Sequence, residues 1–210
     1  MKVTLLQENT PSGVILHFQE LPGASVSAPT QKEAISLVPT EVRMFCAWSG
    51  LPTLEALWMK IGETVESPAA GKAIFASEKE PLSEEEYEAL KALSLRSGED
   101  VYTMECAVGK REENSAFLSR IGEICGAFGF APKGEDYASL RKAFFEDYET
   151  RKPVPSSGKG EEWTLRKAFR LLAETDRQYA ATLLEQAKGD APDPFFFGDA
   201  SLNFNTVTFV

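Results

Sequence analysis

Histidine is almost missing from this chain: His17 stands alone among 210 residues. Any mechanism or metal site that needs two imidazoles is thereby excluded. Cysteine is nearly as scarce, with Cys46, Cys106 and Cys125 far apart and in no C-x-x-C pair, so neither a zinc knuckle nor a redox dithiol is written into the sequence. Three reduced thiols are the simplest reading. No apolar run approaches the roughly 18 to 20 residues that span a bilayer, and the opening "MKVTLLQENT" has no long apolar segment or small-residue cleavage site. The expected address is the cytoplasm, with no membrane.

Catalytic signatures are missing as well. "SSGKGEEWT" and "SPAAGKA" both contain Gly-Lys but lack the remaining residues of a phosphate-cradling loop, and there is no G-x-S-x-G elbow or H-E-x-x-H helix. Ser139 and Lys142 in "SLRK" have Ser-x-x-Lys spacing but sit inside an amphipathic helical pattern with no supporting motif. A Cys–His dyad is the one nucleophilic pairing the composition permits. Against it, Cys46 and Cys106 read as core filler in strands, and His17 alternates with Leu16 and Phe18, pointing away from the face those two bury. A zinc site would need His17 and the three cysteines to converge from four segments. No cofactor and no metal are expected.

What is present is acid and apolar bulk. Hydrophobic residues make up 43% of the chain, enough for a real core, and the formal net charge is -10. The charge is concentrated in residues 61–100, where ten acidic residues face four basic ones. Such a chain repels phosphate backbones, which argues against nucleic acid as a direct ligand. A protein partner with a basic surface suits it better.

The first 110 residues read mainly as strands. "VTLLQ" and "VILHFQE" flank the turn "ENTPSG" and predict an N-terminal hairpin. Period-two alternation predicts further strands in "EVRMFCAW" (41–48) and "DVYTMECAV" (100–108), with a shorter one in "KAIFAS" (72–77). Helical spacing appears in 51–62 and 82–94, the latter opened by Ser83 and Glu86 as a capping box. After 110 the pattern is helical. Phe117, Ile121, Cys125 and Phe128 share one face, as do Tyr137, Leu140, Phe144 and Tyr148. Prolines and glycines in 151–161 break the pattern before a long helix over 161–188, closed by Gly189.

That long helix carries Leu165, Phe169, Leu172, Asp176, Tyr179, Leu183 and Ala187 at alternating spacings of four and three, a seam interrupted by an aspartate. Beside the seam runs a stripe of Arg166, Arg170 and Arg177, which either pairs with the chain's own acidic middle or meets an anionic ligand or acidic partner. The chain ends in "SLNFNTVTFV", whose Leu202 and Phe204 fall on one parity and Val207 and Phe209 on the other. A final strand that returns to the sheet is predicted there, with strand addition to a partner or a second copy as the functional alternative.

The expected fold is therefore α+β: a mixed or antiparallel sheet from residues 1–110, a helical region over 111–190, and a returning strand in 191–210. The expected function is non-catalytic binding of another macromolecule, as regulator, inhibitor or assembly component. Candidate contacts are Glu84, Glu85 and Glu88, the arginines 166, 170 and 177, and Phe204 and Phe209 of the tail, the last pair also offering a route to a homo-oligomer. Two alternatives stand beside it: an acidic inhibitor that imitates nucleic acid, and an enzyme whose carboxylate, hydroxyl and arginine site no motif exposes.

Overall fold

A computed structural model describes residues 1–48, 51–52, 56–108, 115–134, 136–153 and 162–189. The protein is α+β, and the chain divides into two compact units, one within Met1–Phe75 and one beginning at Ala76.

The first unit is built on the predicted hairpin. Strand β1 (Lys2–Thr10) pairs antiparallel with β2 (Gly13–Phe18), which pairs antiparallel with β3 (Ser25–Ala28). Helix α1 (Gln31–Trp48) follows, and β4 (Trp58–Glu66) then lies parallel to β1, giving a mixed sheet in the order β3-β2-β1-β4. Val3, Leu5, Leu16, Phe18 and Val26 point from one sheet face into a core closed by Ala34, Val38, Val42 and Cys46 of α1. Those four helix residues recur every fourth position, which brings them onto one stripe. Thr30 and Glu33 start α1 reciprocally: the Thr30 amide donates to the Glu33 carboxylate at 3.1 Å, and the Glu33 amide donates to the Thr30 hydroxyl at 3.3 Å.

The predicted strand at 41–48 is therefore the second half of a helix. Its period-two pattern was real but short, and the four-residue repeat from Ala34 to Cys46 overrides it. The predicted helix at 51–62 is corrected in the opposite sense: residues 53–55 lie outside the described residues, and Trp58 onward is β4. The amides and carbonyls of β1 left free by β2 are satisfied by a strand, which a helix cannot do. Residues 72–77 join no sheet. Ala73 and Phe75 alternate inward against Leu6 and Val65 on the second sheet face, and the chain then tightens into a 3-10 turn over Ala76–Lys79.

The second unit is helical. Helix α2 (Glu84–Val108) opens with the predicted Ser83/Glu86 capping box, the Ser83 amide donating to Glu86 at 2.9 Å. It runs unbroken through the segment predicted as a strand at 100–108, because the residues it buries are Ser94, Gly98, Val101, Met104 and Glu105, at helical spacing. Cys106, expected in a core, is exposed. Helices α3 (Ser115–Ala127), α4 (Tyr137–Arg151) and α5 (Leu165–Gly189) follow as their periodicities require. Ser139 of "SLRK" belongs to the capping box of α4, with Asp136 accepting from its amide at 2.7 Å. Aromatic rings join these helices: Phe144 meets Phe128 edge-on at 5.4 Å, and Phe117 stacks on Tyr179 at 4.5 Å. The returning strand predicted for 191–210, with Phe204 and Phe209, falls outside the described residues.

Candidate functional site

Each unit contains a buried polar centre built from the protein's own groups. In the sheet unit the Glu8 carboxylate is fully buried on the face opposite α1. It faces the Nε2 of His17 at 2.8 Å and accepts from three consecutive amides, Gly71 at 3.2 Å, Lys72 at 3.1 Å and Ala73 at 3.0 Å. Burial works to raise its pKa, but His17, the Ala73 amide and Ser67 outweigh it and hold the carboxyl down at about 2. Glu8 thereby fixes residues 71–73 in place of a strand ladder. His17 points away from Leu16 and Phe18 as the alternation requires, yet it is buried there, edge-on to Phe75 at 5.5 Å.

In the helical unit the centre is Arg141 on α4. Its Nη1 and Nη2 donate to the two oxygens of Asp176 on α5 at 2.8 and 2.5 Å, and Nη1 also donates to the Ser94 hydroxyl on α2 at 3.0 Å. The Tyr137 hydroxyl donates to Asp176 at 2.6 Å. Burial, with the Asp176 charge, pushes the Tyr137 phenol well above its ordinary range, so it stays a donor. Burial opposes the Arg141 charge, but Asp176 and Tyr137 outweigh it and hold the guanidinium charged. Arg141 is 0% exposed and the network joins three helices, with its Nε left without a hydrogen-bond partner.

The arginines of α5 have comparable internal work. Arg166 donates to the carbonyls of Glu80 (2.8 Å) and Pro81 (3.2 Å) and to Glu86 (3.2 Å), a pairing with the acidic middle of the chain. Arg170 is buried and binds Glu78 through Nε at 2.6 Å, with Glu174 one turn along at 3.5 Å. Arg177 is buried too. The stripe is thus turned into its own unit. Glu84, Glu85 and Glu88 are exposed on the first turns of α2. Among the described residues no group of three His, Cys, Asp or Glu is placed to hold a metal ion, and no helix is long and apolar enough to cross a membrane.

The surface that sequence reasoning missed is β4. It ends the sheet, and among the described residues nothing pairs with its outer side. Trp58 is 71% exposed, Met59 39% and Ile61 38%. Helical spacing over 51–62 gives the apolar residues of this segment no sheet edge to lie on. As a strand they are split between two faces: Met59 and Ile61 lie on the α1 side opposite Val3 and Leu5, while Trp58 and Lys60 lie on the other, opposite Lys2 and Thr4.

The pairing then slips by one residue, so that Leu5 faces Ile61 but Leu6 faces Glu63. Gly62 is the extra residue, and a Cβ there would collide with the Thr4 methyl group. Beyond the bulge, Glu63 and Val65 share the face of Trp58 and Lys60. Comparison with protein-family models, with curated proteins and with solved structures finds no match to the chain.

Proposed function

We propose that this protein works by binding another protein along the outer edge of β4, as a regulator, inhibitor or assembly component and not as a catalyst. One observation carries the reading: an edge strand of nine residues exposes Trp58 on one face and Met59 and Ile61 on the other. Folded proteins blunt such edges because free amides and carbonyls beside apolar side chains recruit a further strand. An exposed tryptophan is also the side chain most often found to anchor an interface. The ionisable groups best placed for chemistry, Glu8 with His17 and Arg141 with Asp176, are instead occupied with holding the fold together.

The acidic first turns of α2 supply a second surface for the same activity. Glu84, Glu85 and Glu88 are exposed and suit a partner with a basic face, on which they would speed association more than they would strengthen the final complex. Free thiols at Cys46, Cys106 and Cys125 suit a reducing compartment such as the cytoplasm.

The test is affinity purification from cells that naturally make the protein, comparing wild type with Trp58→Ala and Ile61→Lys. Both residues are exposed, so the variants should fold. Loss of the same co-purifying protein in both supports β4 as the docking edge, and unchanged recovery overturns it. Reversing Glu84, Glu85 and Glu88 to Lys reports separately on the acidic surface, through slower association and a weaker salt dependence.

A further inference from the structure

Gly62 gives each face of β4 a broken rhythm, and we infer that residues 202–209 of the same chain, which have that rhythm, lie along its outer edge as a strand that a protein partner must displace. This rests on the reading of β4 as a docking edge and names what governs access to it. Pro192–Val210 belong to the same compact unit as Met1–Phe75. On the α1 side of β4 stand Met59, Ile61, Thr64 and Glu66, spaced by two, three and two because Gly62 is the extra residue. In the tail Leu202, Phe204, Val207 and Phe209 are spaced by two, three and two as well. Beside a strand of unbroken alternation, half of those four would fall on the opposite face, whereas beside β4 all four share one face. The run is also rich in Phe, Val and Thr, which favour strands. The other edge of the sheet, β3, has four residues and pairs with β2 without a slip, so it offers neither the length nor the interruption.

The charges of β4 decide which face the four apolar residues take. On the face of Trp58 and Val65, one of them would stand against Lys60 and another against Glu63, whichever way the segment runs. On the other face they extend the apolar surface of Met59 and Ile61, which are 39% and 38% exposed. Lys60 and Glu63 then stand opposite polar residues of the tail: Asn203 and Thr206 in a parallel pairing, Thr208 and Asn205 in an antiparallel one. Apolar beside apolar and polar beside charged is the arrangement that stabilises cross-strand neighbours, so the face of Met59 and Ile61 is selected. The sheet thus carries its own occupant. A partner strand gains the edge only by competing with a segment that the chain holds at high effective concentration.

The experiment is disulfide trapping in the full chain carrying Cys106→Ser, which removes the exposed thiol, with thermal melts to verify folding. Ile61→Cys is combined with Phe204→Cys, its neighbour in a parallel pairing, or with Val207→Cys, its neighbour in an antiparallel one. One of the two pairs should link within a single chain, since adjacent strands bring opposed Cα atoms to about 4.5–5.5 Å. Ile61→Cys with Asn203→Cys should not link. Failure of both pairs, equal linking of the Asn203 pair, or a link between two chains overturns the inference. A labelled peptide of residues 199–210 gives a second readout. It should bind the chain carrying Phe204→Lys and Val207→Lys about tenfold more tightly than the wild type, whose own tail competes, and Ile61→Lys added to that chain should abolish binding. Equal binding to wild type and variant overturns the competition. If no pair links while capture of another protein still depends on Trp58 and Ile61, the inference falls and the docking edge stands. If one pair links while that capture ignores both residues, the tail keeps its place and the docking reading falls.

Discussion

Asp176 interrupts the apolar seam of α5 because Arg141 of α4 grips it with both terminal nitrogens, at 2.8 and 2.5 Å, inside a fully buried site. A carboxylate in a seam is costly unless a charge and hydrogen bonds compensate it, and here Tyr137 supplies a further donor.

Asp176→Leu strands the Arg141 charge and should cost about 3–5 kcal/mol in denaturant unfolding, the usual loss when one member of a buried pair is removed. Replacing the network together, with Arg141→Met, Asp176→Leu and Tyr137→Phe, should recover most of that. A triple variant no more stable than the single one would mean that the network contributes more than charge compensation.

Acid should loosen the sheet unit through Glu8. Its folded pKa of about 2 lies below the ordinary 4.5, so its contribution is complete above pH 4.5 and is lost as pH falls through 2. The interval corresponds to about 3 kcal/mol. Urea melts between these pH values should show that slope in the wild type and a shallower one in Glu8→Gln. The amides of Gly71, Lys72 and Ala73 should exchange faster in the variant.

Gly62→Ala should destabilise the β1–β4 pairing by about 1–2 kcal/mol, as overpacking does. The clash is with the Thr4 methyl, and Thr4 cannot swing aside freely because its hydroxyl and amide donate to Glu20 at 2.8 and 2.6 Å. Thr4→Ser removes the methyl and keeps the hydroxyl. Combined with Gly62→Ala it should return thermal stability close to that of Thr4→Ser alone.

Thiol labelling should separate the three cysteines. Cys106 is exposed and should react in the native protein. Burial raises the Cys46 thiol pKa, and burial together with the Asp147 charge pushes Cys125 up to about 11, so both should react only on unfolding. Native-state labelling of all three would contradict the packing described for α1 and α3.

The sequence by itself determined the features that depend on neighbours along the chain. These are the α+β class, the hairpin at "ENTPSG", the Ser83/Glu86 cap, and helices α3, α4 and α5 with their buried faces. Each is written in turn chemistry or in a periodicity sustained over several turns. Tertiary structure decided the rest. Residues 41–48 and 100–108 are eight- or nine-residue windows in which period two and period 3.6 share positions, and only the four-residue repeat beginning at Ala34 and the buried row from Ser94 to Glu105 choose helix. Residues 58–62, the end of the segment read as a helix over 51–62, instead open the strand Trp58–Glu66 because β1 needs a partner. The candidate interaction surface depends on that choice and was hidden with it. The ion pairs were equally illegible: Glu8 finds its amides more than sixty residues away, and Arg141 finds Asp176 thirty-five residues away on another helix. Local pattern carries no record of which distant group will satisfy a buried charge, and only packing brings the two together.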